Sequence, residues 1–116
     1  MTAPSPVTAL EAFHIVDIRV GTILSAGAFP EARNPAFKLE IDFGPELGVK
    51  RASAQLTRRY DPEALVGRRI VAAVNLGTRR IAGFTSEVLV LGAVPEPGDV
   101  VLLAPDADVP NGSRIA

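Results

Sequence analysis

Between Phe37 and Phe43 apolar and charged residues alternate without a break, with Phe37, Leu39, Ile41 and Phe43 on one side and Lys38, Glu40 and Asp42 on the other. A period of two belongs to a strand with one buried face, and this is the clearest strand in the chain. Ile15 to Ala28 reads as a long first strand, in which Val16, Ile18 and Val20 oppose Asp17 and Arg19. Gly21 interrupts it and marks a bulge or a sharp bend. Gly44-Pro-Glu-Leu-Gly48 turns the chain into a strand over Val49 to Ala54. Apolar runs at Ile70–Asn75, Ser86–Leu91 and Val100–Leu103 supply further strands, the last after a turn at Pro95-Glu-Pro-Gly98. Two short helices punctuate them. Thr8-Ala-Leu-Glu11 has the spacing of a capping box and predicts a helix through about His14 that places Leu10 and Phe13 on one face. Asp61-Pro62-Glu63, closed by Gly67, predicts a small helix between two strands.

The whole reads as one β-rich unit over residues 8–116, preceded by a flexible arm over 1–7, with no internal repeat, linker or low-complexity segment. At 116 residues the chain is long enough for a core without staples. It has no cysteine, which removes disulfide scaffolds, thiolate metal sites and cysteine nucleophiles. The Met1-Thr-Ala-Pro-Ser-Pro start lacks a basic region and an apolar stretch, so it is not read as a signal peptide. No apolar run is long enough to span a bilayer, and the expectation is a soluble, cytoplasmic protein.

Net charge is −1, yet it is unevenly placed. Residues 1–49 carry a net of −3, residues 50–80 a net of +6 and residues 81–116 a net of −4. A patch of one sign steers partners even when the total is near neutral. Ten of the twelve cations are arginine, the residue suited to bidentate phosphate contact and to stacking. Catalysis lacks parts. His14 is the only histidine, so neither a histidine-based triad nor a multi-histidine zinc site can be assembled, and packing or a surface position is its ordinary role. The pairs Glu31 with Glu87 and Asp106 with Asp108 fall in turns, where acids are mostly solvated. The glycines have no phosphate-loop or dinucleotide spacing. No catalytic residue, metal or cofactor is expected.

The chemistry concentrates in Val71-Ala-Ala-Val-Asn75-Leu-Gly77-Thr-Arg79-Arg80-Ile-Ala-Gly83-Phe84-Thr-Ser86-Glu87-Val-Leu-Val-Leu91. Two apolar runs flank a loop with paired arginines and an aromatic ring, the combination that phosphate contact and base stacking require. A hairpin with a solvated basic tip is the equally ordinary alternative. Asn75-Leu76, the basic segment, Ile-Ala-Gly and Ser86-Glu87 resemble the signature of the stand-alone tRNA-binding domain, an OB-fold module. Val16-Asp-Ile-Arg-Val-Gly21-Thr-Ile, Phe29-Pro-Glu-Ala-Arg33-Asn34-Pro35-Ala-Phe37-Lys-Leu39 and Val109-Pro-Asn-Gly112-Ser-Arg match it in order. Phe-Pro-Glu-Ala-Arg, Ser53-Ala-Gln55-Leu56-Thr and Ser86-Glu87-Val-Leu-Val-Leu91 are most similar to the CsaA branch, described as protein-export chaperones.

The resemblance implies an all-β OB-fold barrel with a short N-terminal helix and one small helix between barrel strands. It also implies a homodimer with Leu10 and Phe13 in the interface; packing of that helix on its own barrel is the open alternative. In tRNA-binding relatives the basic segment and the motif serine contact RNA, which maps onto Arg79, Arg80 and Ser86. Asn75 and Phe84 would line the same face, Arg51, Ser53 and Gln55 the neighbouring strand, and Arg33 and Asn34 the bordering loop. Arg58 and Arg59 could lengthen a phosphate track, although a solvated helix end explains them as well. Two departures matter. Many members have Lys-Pro-x-Lys where this chain has Gly77-Thr78-Arg79-Arg80, and Gly-Met-Leu where it has Val88-Leu89-Val90. The first loses a loop-fixing proline and the second puts β-branched bulk beside the expected stacking site. A chaperone for unfolded preproteins needs an exposed apolar surface, for which Phe29, Phe84, Leu56 and Tyr60 are candidates, with the hydrophobic core as their ordinary alternative. The implied partners are tRNA or structured RNA, preprotein peptides, a synthetase or the secretion motor, and a second copy, with no membrane insertion.

Overall fold

The computed structural model describes residues 7–116. Of the expected flexible arm only Val7 falls among them, and it is exposed. Helix α1, Ala9–Ile15, starts where the capping box places it, with the Glu11 amide donating to Thr8 Oγ1 at 3.1 Å. Strands β1 (Ile18–Ala28) and β2 (Phe37–Asp42) follow, then a helical turn α2 (Gly44–Leu47) and β3 (Val49–Ala54). Helix α3 (Pro62–Leu65) leads to β4 (Arg69–Ala73). Five short strands complete the chain: β5 (Arg79–Ile81) pairs with β6 (Phe84–Ser86), β7 (Leu89–Val90) with β4, and β8 (Gly92–Glu96) with β9 (Asp99–Leu102).

The main sheet has five strands in the order β3-β2-β1-β4-β7, with antiparallel pairs throughout. It curls into a nearly closed OB-type barrel. The inward residues that alternation selected form its core: Phe37, Leu39, Ile41 and Phe43 are buried with Ile23, Ala52, Ile70 and Ala72. Leu65 on α3 is fully buried among them, so the helix between β3 and β4 plugs the barrel. No helix of the described residues is long and apolar enough to cross a membrane.

Two expectations change in detail. Gly21 is not the bulge. A Cβ there would lie 2.7 Å from Ile41 Cγ2 and 2.8 Å from Phe43 Cε1, so the glycine lets two core side chains cross β1 closely. The bulge falls at Leu24, where the register with β2 shifts between Ile23 and Ser25, and Leu24 is turned outward. The expected strand Ser86–Leu91 is also broken, because Glu87 and Val88 leave the ladder between β6 and β7. Their neighbour hairpin β5–β6 turns through Ala82 at φ +46° and Gly83 at φ +83°. Two successive positive φ values match the twist of a tight hairpin. Arg79 and Arg80 therefore ride on a strand rather than in a loop.

The tail returns to the barrel along β1. The Val20 amide donates to the Ser113 carbonyl, and the amides of Gly112 and Ile115 donate to the carbonyls of Val20 and Ile18. Arg19, nearly buried, holds this arrangement: its Nε donates to Asp17 Oδ1 at 2.6 Å and its Nη1 to the Gly112 carbonyl at 3.0 Å. Donation to the Asp17 carboxylate, and that group's charge, raise the guanidinium pKa further.

Candidate functional site

The two ends of the curled sheet, β3 and β7, face each other without a backbone ladder between them. One backbone bond and two side chains close part of this seam instead. The Glu87 amide donates to the Arg51 carbonyl at 2.8 Å, and the Arg51 amide donates to Glu87 Oε1 at 3.0 Å. One step further, the Ser53 amide donates to Ser86 Oγ at 3.1 Å. Ser86 is buried, with its hydroxyl turned into this contact and toward the Val88 carbonyl. Ser86 was expected to touch RNA; it fastens the barrel, because a hydroxyl in that position is the partner that satisfies a strand-edge amide.

Beyond Ser53 the seam opens into a groove of about 500 Å³. Ala36, Ala54, Ile81, Leu89, Val90, Val94 and Val100 give it an aliphatic lining. Arg33, Asn34, Ser53, Gln55 and Arg79 supply its polar groups. Five of the residues expected at an RNA-binding face are thus gathered in one groove. Among the described residues neither Arg33 nor Arg79 has an acidic side chain within ion-pair distance, and the same holds for Arg80, exposed on β5.

The segment carrying Arg33 and the hairpin carrying Arg79 meet through aromatic rings. Phe29 and Phe84 stand edge to face, with centroids 5.4 Å apart and planes at 66°. Lys38 Nζ lies 4.7 Å from the Phe29 centroid and 5.4 Å from that of Phe84, and the Arg51 guanidinium carbon is 5.4 Å from the latter. Such contacts contribute roughly 0.5–1 kcal/mol each at exposed sites. Lys38 was legible as an outward position of β2 but had not been singled out. Leu89 and Val90, which line the groove, had been noted only as a departure from the family pattern.

The remaining expected contacts sit elsewhere in the fold. Phe29 is buried, and Leu56 is fully buried beneath the groove as part of the core, so neither offers the exposed surface a peptide contact was expected to have. Apolar residues of this size are drawn inward wherever a core is within reach. Tyr60 packs against the core as well; its hydroxyl accepts from the Leu102 amide at 3.1 Å, and the Arg68 guanidinium covers its ring. Asn75, exposed, ties the α1–β1 junction with both ends of its amide, accepting from the Asp17 amide and donating to the Ile15 carbonyl. Arg58 and Arg59 are tied to the β8–β9 hairpin through Glu96 and Asp99. The Arg59 hydrogen bonds and charge hold the Asp99 carboxyl below its ordinary value of 3.8. Leu10 and Phe13 remain exposed on α1, a helix with no buried residue.

Comparison with known proteins places this arrangement. The family model described as "Putative tRNA binding domain" matches residues 18–114. Among solved structures, chaperone CsaA from Bacillus anthracis is 57% identical with a TM-score of 0.89, over 96% of this chain and 100% of that one. The CsaA chaperone protein from Picrophilus torridus is 43% identical with a TM-score of 0.86, over 95% of this chain and 100% of that one. Among curated proteins, the methionine–tRNA ligase of Flavobacterium johnsoniae is 34% identical over 105 residues, 90% of this chain. This chain spans only 14% of that ligase's length.

Proposed function

The chain belongs to the tRNA-binding-domain family, and from that premise we propose that it is a non-enzymatic, homodimeric binding protein of the CsaA type. It holds unfolded preprotein segments in the seam groove and keeps an RNA-binding capacity on the same face. The observation that carries the peptide reading is the character of the groove. Its lining is aliphatic, while the ring faces near it are taken up by Phe29, Phe84, Lys38 and Arg51. Aliphatic walls suit apolar side chains, whereas unpaired bases want free aromatic faces. The homodimer is supported by α1, whose seven residues bury nothing within the chain and whose Leu10 and Phe13 are exposed. A helix this short gains its stability from packing, and a second copy supplies it.

The RNA reading has its own support: the family match and the unpaired guanidinium groups of Arg33, Arg79 and Arg80. One experiment weighs the two. Binding of an unfolded, alkylated protein and of tRNA is measured at about 50 and 200 mM salt, for the wild type and for Arg79→Ala/Arg80→Ala. The unfolded chain is expected to bind at both salts. The RNA is expected to bind at low salt only, and to be lost in the double variant. Retention of tRNA binding with no affinity for the unfolded chain would make RNA the principal ligand. The dimer is checked by light scattering on Leu10→Glu/Phe13→Glu, which is expected to run as a folded monomer.

A further inference from the structure

The groove is not only a pocket for side chains. It is bounded by a length of strand whose backbone is turned toward it. In the β4–β7 ladder the Leu91 amide donates to the Val71 carbonyl, and Ala72 stands opposite Val90. Antiparallel pairs alternate between bonded and non-bonded positions. Val90 is therefore at a non-bonded position, and its N–H and C=O point away from β4 toward the seam. The same argument applies to β3. Phe43 donates to the Gly48 carbonyl, which sets the phase of the β2–β3 ladder and turns the backbone of Arg51 and Ser53 outward. Arg51 is satisfied on that side by Glu87, and the Ser53 amide by Ser86. The Ser53 carbonyl and both backbone groups of Val90 face the part of the seam that no side chain closes.

An unpaired strand edge is a template for another strand. Proteins usually bury, charge or twist such an edge away, whereas here it forms the wall of an aliphatic groove. We infer that a client peptide is held as an added strand along Val90, with alternate side chains directed onto the aliphatic lining. This deepens the peptide reading above and rests on it. The occupant is specified further by charge. Arg33 and Arg79 line the groove with no acid in reach among the described residues, so the segment that fits is extended, aliphatic at every second position, and acidic between. Main-chain bonds give such binding its affinity with little dependence on sequence, and the alternate pockets give it preference.

The test uses the full chain and a seven-residue capped peptide alternating valine with glutamate, labelled for fluorescence anisotropy. A series of peptides, each N-methylated at one amide, removes one donor at a time. Strand addition predicts a positional pattern: about a tenfold loss of affinity for methylation at the amide that meets the Val90 carbonyl, and little change at amides that meet neither strand edge. Replacing glutamate by glutamine is expected to weaken binding for the wild type and to make no difference for Arg33→Ala/Arg79→Ala. Binding with no dependence on position across the methylated series overturns strand addition and leaves the chaperone reading standing. If neither this peptide nor an unfolded protein binds, the chaperone reading falls with it. Competition by tRNA in place of any peptide binding assigns the groove to RNA and overturns the inference.

Discussion

The two sides of the barrel are built differently. On one side β1 pairs with β4 through its first half and with β2 through its second, with a bulge at Leu24, a close crossing at Gly21, and the tail stitched along the first half. There the arginines have acidic partners: Arg19 bonds Asp17, and Arg69 bonds Asp108. On the other side β3 and β7 meet across a seam held by one backbone bond and by the side chains of Ser86 and Glu87. Among the described residues Arg33 and Arg79, around the open part of that seam, have no acid to hold them. The comparison teaches that one residue type serves two ends, and that the deciding factor is whether the fold supplies a carboxylate nearby.

The comparison can be broken most sharply at Arg19. Arg19→Ala removes a nearly buried cation from Asp17 and from the Gly112 carbonyl. It is expected to cost roughly 2–3 kcal/mol in urea denaturation and to loosen the tail, since a charge left without its partner is the expensive case. Ser86→Ala unfastens the seam at a single point. The Ser53 amide loses its acceptor, with an expected cost of about 1 kcal/mol. Hydrogen exchange should locate the change in β3 and leave β1 protected; equal deprotection of β1 would show that the two sides are not separable.

A smaller effect is expected at the β8–β9 hairpin in acid. Asp99 has a folded pKa held below its unfolded value by Arg59, so its contribution is present above the unfolded value of 3.8 and is lost as pH falls through the folded one. Hairpin signals in an NMR titration should move below about pH 4 in the wild type and not in Asp99→Asn. The smallest structural effect belongs to Arg33→Ala/Arg79→Ala. Its unfolding midpoint should match the wild type within about 0.5 kcal/mol while ligand affinity drops, as expected of exposed side chains without partners. A large loss of stability there would end the distinction between the two sides.

What was legible in the sequence follows the range of the forces involved. The alternation from Phe37 to Phe43, the Thr8 cap and the α3 plug are local patterns, and each appears where the residues place it. The bulge at Leu24 was not legible, because a shift of register belongs to the pairing of β1 with β2 and not to either segment alone. A hairpin was legible only with the arginines at its tip; the turn falls at Ala82-Gly83 instead, where alanine, not asparagine or aspartate, takes the first positive φ. Ser86 and Glu87 act on residues 33 and 36 positions away, and no short window of sequence encodes that. Arg33, Asn34, Ser53, Gln55 and Arg79 were found through the family pattern rather than through periodicity. The open edge at Val90 needed the hydrogen-bond phase of a ladder, which only coordinates contain.

The contact between Phe29 and Phe84 has a consequence for how the groove responds to its surroundings. The segments bearing Arg33 and Arg79 touch through hydrocarbon rings, and the arginines themselves act through charge. Ionic strength screens the second kind of force and leaves the first almost untouched. A rise in salt therefore weakens whatever the arginines hold by charge, while the spacing between the two segments stays fixed.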